Sequence, residues 1–477
     1  MLDMNKFYVT TPIYYVNDKP HIGHAYTTIT ADIIARYYRN KGYDVKFVTG
    51  VDENSQKTVN AAASNNEDIK VYLDRMANSW KSTWDQLGIS YDTFIRTTAT
   101  FHEKGVLDII KRVNSSGDLY KDKYEGFYCV GCESFKKESE LVDGLCPLHN
   151  KKPDWIFEEN YFFKLQKYQE RLLEHINSHS NFIQPESRRN EIVSFINHGL
   201  QDFSVSRSTQ KWGIPWPDED NQVVYVWFDA LTNYLTAVGY PDEEYKKYWP
   251  ADLHVIGKDI IKFHCIYWPA MLMSAGIELP EHVFAHGFFM IDGQKISKSL
   301  GNAIDPIDLI KSRGSDALRY YLFSEISFGE DGEFSTSRFE ELYSTELSNN
   351  LGNLVQRIAV LASKHLGPEY GSIPTSTIDS RFYEEAMESL NLTVALKQIW
   401  SEVRKINLFL QDNRPWEVVK TDKEEFARIM KQAISNVLLL SRLLKPFLPD
   451  SSDKIQKTFS NGKINLDVGL LFPQNTK

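Results

Sequence analysis

KFYVTTPIYY and VKFVTG are two apolar runs rich in β-branched and aromatic residues. Between them lies PHIGHAYTTITADIIARYYRNKG, where Ile22, Ile29, Ile33 and Tyr37 recur at roughly helical spacing. Strand, helix and strand in so short a span make a βαβ unit, closed by Lys41-Gly42 before the second strand. Parallel strands need a crossover between them, so this opening commits the chain to an α/β architecture built on a parallel sheet. Open parallel sheets bind ligands at the carboxyl ends of their strands. The polar segments VND and VDENSQK fall at those ends.

A chain of 477 residues exceeds what one hydrophobic core holds, so about two to four structural units are expected. Helical patterning runs on through EDIKVYLDRMANSWKSTWDQLG and HEKGVLDIIKRVNSSG. Between residues 113 and 225 the texture changes to short, turn-rich pieces such as GFYCVGCESF and GLCPLHN, followed by aromatic-rich stretches. Strand and helix return at DLHVIGKDIIKFHCIYWPAML and HVFAHGFFMIDGQKISKS, so the middle segment reads as an insertion that splits the sheet. Beyond residue 345 strand signals thin out. Leu392, Leu396, Ile399, Val403, Ile406 and Leu410 form one helical stripe and EEFARIMKQAISNVLLLSRLLKPFLP carries another, which predicts an all-α bundle. The expected division is 1–112 and 226–290 for the halves of the sheet domain, 113–225 for the insertion, 291–345 for a lysine-bearing loop region and 346–477 for the bundle.

Net charge is -10, so the chain has no global basic field and any nucleic-acid partner must be held by local patches. Three of the four cysteines lie within one short stretch, which argues against a secreted disulfide scaffold and for a reducing compartment. The N-terminus carries Asp3 and no long apolar run, and no stretch is apolar enough for a membrane span. A cytoplasmic, membrane-free protein is expected.

Two basic clusters stand out. His21 and His24 share one face at the start of the first helix, Gly23 lets a ligand approach the backbone, and the first-turn N–H groups favour an anion such as triphosphate. Helix-capping histidines, or half of a metal site, are the plain alternatives. Far along the chain, DGQKISKSLGN sets Lys295 and Lys298 three apart in a Gly/Ser-rich stretch without an apolar stripe, a loop able to bring ammonium groups onto phosphates. It lacks the GxxxxGK[ST] spacing of a P-loop.

PHIGH and KISKS, in this order, with a metal-type insertion between and helices after, resemble the HIGH and KMSKS signatures of the class I aminoacyl-tRNA synthetases, and specifically the methionyl-tRNA synthetases. The resemblance covers nearly the whole chain and implies a Rossmann-like catalytic sheet split by a connective insertion, followed by an anticodon-binding bundle. It implies ATP-dependent activation of L-methionine with Mg2+, then transfer to the 3′-terminal adenosine of tRNA. His21 and His24 then act on the phosphates of the activation transition state, and Lys295 and Lys298 on the pyrophosphate. Alignment and neutralisation of growing charge suffice for such a reaction, without a covalent nucleophile. The methionine pocket implied by the resemblance uses Asp52 for the ammonium and Ile13, Tyr15, Trp227, Ala230, Tyr234 and His286 around the thioether. GKDII resembles the family's nucleotide segment, with Gly257 allowing close approach, Asp259 accepting from ribose hydroxyls and Lys258 electrostatic or structural. Arg207, ending SVSR, matches a family segment near the active site. Where the family often has a histidine after the strand-end acids, this chain has Asn54.

Cys129-x2-Cys132 and Cys146-x2-His149 offer three thiolates and an imidazole, a closed tetrahedral shell for structural Zn2+. The resemblance agrees, as the methionyl enzymes carry a zinc knuckle in this insertion. Cys265 reads as a core residue, and His264 as packed or a local hydrogen-bond partner. In the bundle, Asn353 and Arg357 lie on one helix face, and Asn413, Arg414 and Trp416 close a neighbouring helix; Asn and Arg read base edges and Trp stacks. The matching family positions bind the CAU anticodon. A monomer is expected, since no appended dimerisation module follows the bundle. The alternatives are a synthetase of this class for another amino acid, or a noncatalytic tRNA-binding protein derived from one.

Overall fold

The computed structural model describes residues 5–147, 150–291, 294–296 and 304–474. Its contacts gather into two units, Met1–Pro20, Gly42–Asp85 and Ile89–His286 in the first, His21–Lys41, Gln86–Gly88 and Gly287–Lys477 in the second.

The first unit is built on a six-stranded parallel sheet of β1 (Lys6–Tyr15), β2 (Asp44–Asp52), β3 (Thr93–Arg96), β4 (Ile183–Gln184), β5 (Leu253–Gly257) and β6 (Val283–His286). The order is β3-β2-β1-β5-β6-β4. β1 and β5 are neighbours although the insertion separates them in the chain, so the sheet is split as the hydrophobic pattern predicts. The order reverses between them, which makes a ligand crevice at their carboxyl ends. Val9, Phe47, Val48, Val255 and Ile256 are fully buried in these strands.

Pro12 shapes the end of β1. It has no N–H to give the ladder, and the register with β2 shifts between Thr10 and Ile13. The hydroxyl of Thr11 donates to that of Thr49 across the irregularity, at 2.7 Å. After the shift Tyr15 stands opposite Asp52.

The insertion forms an antiparallel sheet in the order Ser134–Lys136, Leu119–Cys129, Asp154–Phe163, Phe203–Ser204. Two short strands depart from the periodicity reading. β3 lies in a stretch without a clear strand pattern, and β4 falls inside the insertion yet extends the parallel sheet through Val283 and Phe284. Pairing with an existing edge makes a two-residue strand, and local propensity carries no trace of it.

In the second unit, α1 (Ile22–Asn40) presents Tyr26 to Phe289 and Phe323, with ring centroids 4.7 and 5.3 Å away. Asp32, on the same helix, is fully buried and ion-paired with Arg319, whose Nε donates to the carbonyl of Phe447 at 2.7 Å. Helices Asn353–Leu366, Leu392–Asn413, Lys423–Leu444 and Pro449–Thr458 make up the bundle. The predicted stripe from Leu392 to Leu410 is buried throughout, and Asn391 and Asp422 cap their helices by accepting from first-turn N–H groups.

Candidate active site

Asp52 closes β2 and is 2% exposed. Among the described residues, its carboxylate accepts one hydrogen bond, from the backbone N–H of Asn54 at 3.1 Å. Burial, and next the charge of Asp229, hold this carboxyl well above the usual carboxylate range. A buried acid with one neutral donor is a socket for a cation. The ammonium of Lys57 lies over the ring of Tyr15, at 4.1 Å from its centroid.

From Tyr15 a line of aromatic residues runs into the unit. Tyr15 meets the edge of Trp227 at 6.5 Å between centroids, and Trp227 stacks on Phe263 at 3.7 Å and 5°. Tyr234 is buried, and its hydroxyl lies 2.6 Å from Nε2 of His264. Nδ1 of His264 lies 3.0 Å from the carbonyl of Ile260, so that nitrogen carries the proton and Nε2 accepts from the tyrosine. Burial pushes the imidazole of His264 down to about 4. A π-helical turn, Phe263–Tyr267, sets both Phe263 and His264 before the helix Trp268–Ala275. Trp227 and Ala230 come from the short helix Val226–Leu231, all of it buried. The result is a buried aromatic cluster with one polar pair, Tyr234 and His264.

At the end of β5, Gly257 faces the end of β6: it pairs in register with His286. A Cβ on Gly257 would meet Oδ1 of Asp259 at 2.9 Å, so a larger residue displaces that acid. Asp259 is exposed at the strand end.

The insertion's thiols converge. Sγ of Cys129, Cys132 and Cys146 all lie within 4.8 Å of one another, with Cys132 and Cys146 at 3.5 Å. A tetrahedral Zn–S shell at 2.3 Å has S···S edges of about 3.8 Å, so the donor set fits a bound metal ion. The hydrogen bond with Cys129, then burial, raises the Cys132 thiol, and a cation is what permits three thiolates at this spacing. The knuckle is tied to the slot: the hydroxyl of Tyr225 donates to the carbonyl of Glu133 at 2.5 Å, and Nε1 of Trp227 donates to that of Cys132 at 3.5 Å.

In the second unit, His21 and His24 begin α1 as a reciprocal cap. Nδ1 of His21 accepts from the N–H of Gly23 at 3.1 Å, and Nδ1 of His24 accepts from the N–H of His21 at 3.2 Å. The rings stack at 3.7 Å. An Nδ1 that accepts leaves the proton on Nε2, so capping also sets each ring as an Nε2–H donor. The capping alternative and the phosphate reading are therefore compatible. A Cβ on Gly23 would meet Cε1 of His21 at 2.9 Å, so a larger residue there displaces the imidazole ring.

At the bundle, Asn353 is exposed on the helix Asn353–Leu366 and Arg357 lies one turn on, its guanidinium 5.6 Å from the ring centroid of Trp416. Trp416 is 37% exposed, too open for a core residue. Arg414 ends Leu392–Asn413 in a left-handed conformation, φ 41°, and Pro415 is buried behind it.

The family model described as tRNA synthetases class I (M) matches residues 7–154 and 137–359, and that of the anticodon binding domain of methionyl tRNA ligase matches 374–467. The methionine–tRNA ligase of Thermotoga maritima is 44% identical over 476 residues, covering 95% of this chain and 75% of that one. The methionine–tRNA ligase of Synechocystis is 45% identical over 478 residues, covering 95% and 90%. Among solved structures, Mycobacterium tuberculosis methionyl-tRNA synthetase in complex with methionyl-adenylate superposes with a TM-score of 0.91 at 39% identity, covering 99% of both chains. The chain belongs to the methionyl-tRNA synthetase family.

Within this family framework, the structure brings together Tyr15, Asp52, Trp227, Ala230 and Tyr234 in the first unit, with half-buried Ile13 on the displaced end of β1. His286 stands beside Gly257. Arg207, matched to a segment near the active site, is buried inside the insertion in a bidentate pair with Glu158, both bonds 2.8 Å. Lys295 lies in a two-residue strand paired with Met290. Lys298 and His149 lie outside the described residues. The sequence pattern does not single out Phe263, whereas His264, expected to be packed or a local hydrogen-bond partner, is both buried and bonded to Tyr234 and Ile260. Their place directly after GKD, at a strand end, was the available signal; the π-helical turn that aims them was not legible.

Proposed function

We propose that the chain is an ATP-dependent ligase that joins L-methionine to its tRNA in two steps. The methionine carboxylate attacks the α-phosphorus of ATP, pyrophosphate leaves, and a ribose hydroxyl of the 3′-terminal adenosine of tRNA then displaces AMP from methionyl-adenylate. One observation carries the reading: a buried carboxylate, Asp52, stands opposite Tyr15 at the head of an aromatic slot. An α-amino acid with a long apolar side chain supplies the cation and the filling together. Thioether against aromatic ring is worth roughly 0.3–1.5 kcal/mol per contact, so the slot selects by shape, with Ile13, Trp227, Ala230, Phe263 and the Tyr234–His264 pair as its walls.

The Nε2–H donors of His21 and His24, with Gly23 admitting the chain of phosphates, serve the triphosphate. Lys295 and Lys298 neutralise the departing pyrophosphate, with Mg2+ accompanying ATP. Gly257 and Asp259 take the adenosine, and His286, beside Gly257, helps to shape the thioether slot. Cys129, Cys132, Cys146 and His149 hold structural Zn2+, which ties down the insertion and leaves no open coordination position for catalysis. Asn353, Arg357, Asn413, Arg414 and Trp416 read the anticodon. The division at 113, 226, 291 and 346, a monomeric state and a cytoplasmic setting complete the proposal; no helix among the described residues is long and apolar enough to cross a membrane.

Exchange of labelled pyrophosphate into ATP, run with methionine, cysteine and isoleucine in turn, tests it without tRNA. Exchange is expected with methionine alone, and Lys298→Ala cuts its rate far more than it weakens methionine binding. Exchange driven by another amino acid, or by none, overturns the assignment.

A further inference from the structure

Behind Asp52 lies a chain of buried polar groups with no place in the roles above. Nδ2 of Asn54 donates to Oδ2 of Asp229 at 2.8 Å. The other oxygen of Asp229 lies 2.6 Å from Nε2 of His102, and Nδ1 of His102 lies 2.7 Å from the hydroxyl of Thr236. Asp229 and His102 are fully buried, Thr236 and Asn54 nearly so. A carboxylate accepts only, so Nε2 of His102 donates to Asp229, while Nδ1 is held by the hydroxyl of Thr236. Both oxygens of Asp229 are thus supplied with side-chain donors, whereas Asp52 has one backbone N–H. Asp229 is the better supplied of the two carboxylates, and the socket at Asp52 is left for a ligand to complete.

The relay also joins three elements. Asn54 follows β2, His102 lies on the helix Thr100–Ser115, and Asp229 shares its short helix with Trp227 and Ala230. Holding Asp229 therefore holds the loop behind Asp52 and the wall of the slot in one geometry.

We propose that Asp229, oriented by His102 and coupled to Asp52 through Asn54, is a positioning residue that sets the negative field under the substrate's ammonium. This rests on the reading of Asp52 as the ammonium partner. The charge of Asp229 acts through Asn54 and Asp52 on the amino group of the ligand, whereas its shape and hydrogen bonds hold the helix of Trp227 and Ala230.

The test compares two ligands by calorimetry on the full chain: L-methionine, and 4-(methylthio)butanoate, which has the same thioether and carboxylate without the amine. At a pH on the flat upper part of the wild-type binding profile, where Asp52 is already ionised, Asp229→Asn, which keeps shape and removes charge, is expected to weaken methionine by about tenfold or more and to leave the deaminated acid within about twofold. His102→Gln, whose amide N–H reaches toward Asp229 as Nε2 does, is expected to keep most of the affinity that His102→Leu loses. Equal losses for both ligands in Asp229→Asn, including loss of all binding through misfolding, overturn the positioning role in favour of packing; so does no loss at all. Wild-type protein that binds both ligands equally overturns instead the reading of Asp52 on which the inference rests.

Discussion

The raised proton affinity of Asp52 makes methionine binding depend on pH in a defined direction. Burial and Asp229 lift its carboxyl above the usual range, so the empty site holds a proton at pH values where a free aspartate has lost it. An ammonium demands the ionised form. Binding below the raised value must then expel one proton, and affinity rises about tenfold per pH unit, or about 1.4 kcal/mol, until the carboxyl of the free protein is ionised; above that point the slope disappears. The neighbouring carboxyls of Asp229, Glu133 and Glu53 all add to the lift on Asp52. Asp52→Asn removes the charge and the slope together, and leaving an ammonium against a buried amide costs about 3–5 kcal/mol, roughly two to four orders of magnitude in Kd. Calorimetry in buffers of different ionisation enthalpy counts the proton directly, and Kd measured over about pH 5–8 gives the slope. A flat wild-type profile without proton release, with Asp52→Asn binding as tightly, would refute the socket.

Other outcomes are equally open to measurement. Trp416 is half open and flanked by Arg357, so Trp416→Ala is expected to lower tRNA charging by about 5- to 150-fold, the equivalent of one lost base stack of about 1–3 kcal/mol. Pyrophosphate exchange should be unchanged, and parallel loss of both activities would indicate packing instead. Elemental analysis should find one zinc per chain, and Cys146→Ser should lower it; because Tyr225 and Trp227 bond to the knuckle backbone, methionine activation should fall as well. Zinc-free wild-type protein with all four ligands intact would remove the metal assignment. His264, pushed down to about 4 by burial, contributes stability that is complete above about pH 6.5 and is lost as pH falls through about 4, about 3 kcal/mol in all. Its ring should stay neutral in nitrogen NMR down to about pH 5, and a titration near 6.5 would count against the Tyr234–His264 bond as drawn.

Much of this protein is written in short-range pattern. The βαβ opening, the buried stripe from Leu392 to Leu410, the thiol spacing and the two basic signatures each span no more than a few turns of chain. Periodicity and ligand spacing are local properties that survive without knowledge of the fold. For the same reason the split sheet was legible, since DLHVIG carries its own strand pattern on the far side of the insertion. What could not be read was set by partners distant in the chain. His102 meets Asp229 across 127 residues and Asn54 meets it across 175, and neither residue carries a local mark of that pairing. β4 is a strand only because Val283 and Phe284 offer an edge, and from one π-helical turn Phe263 stacks on Trp227 while His264 bonds to Tyr234, partners 30 or more residues away. Arg207 looked like a site residue until burial against Glu158 gave it another partner. Residue type and spacing state which chemistry is available; which carboxylate is buried, which imidazole nitrogen holds its proton and which charge is left for the substrate follow from desolvation and long-range contact, which exist only in the folded chain.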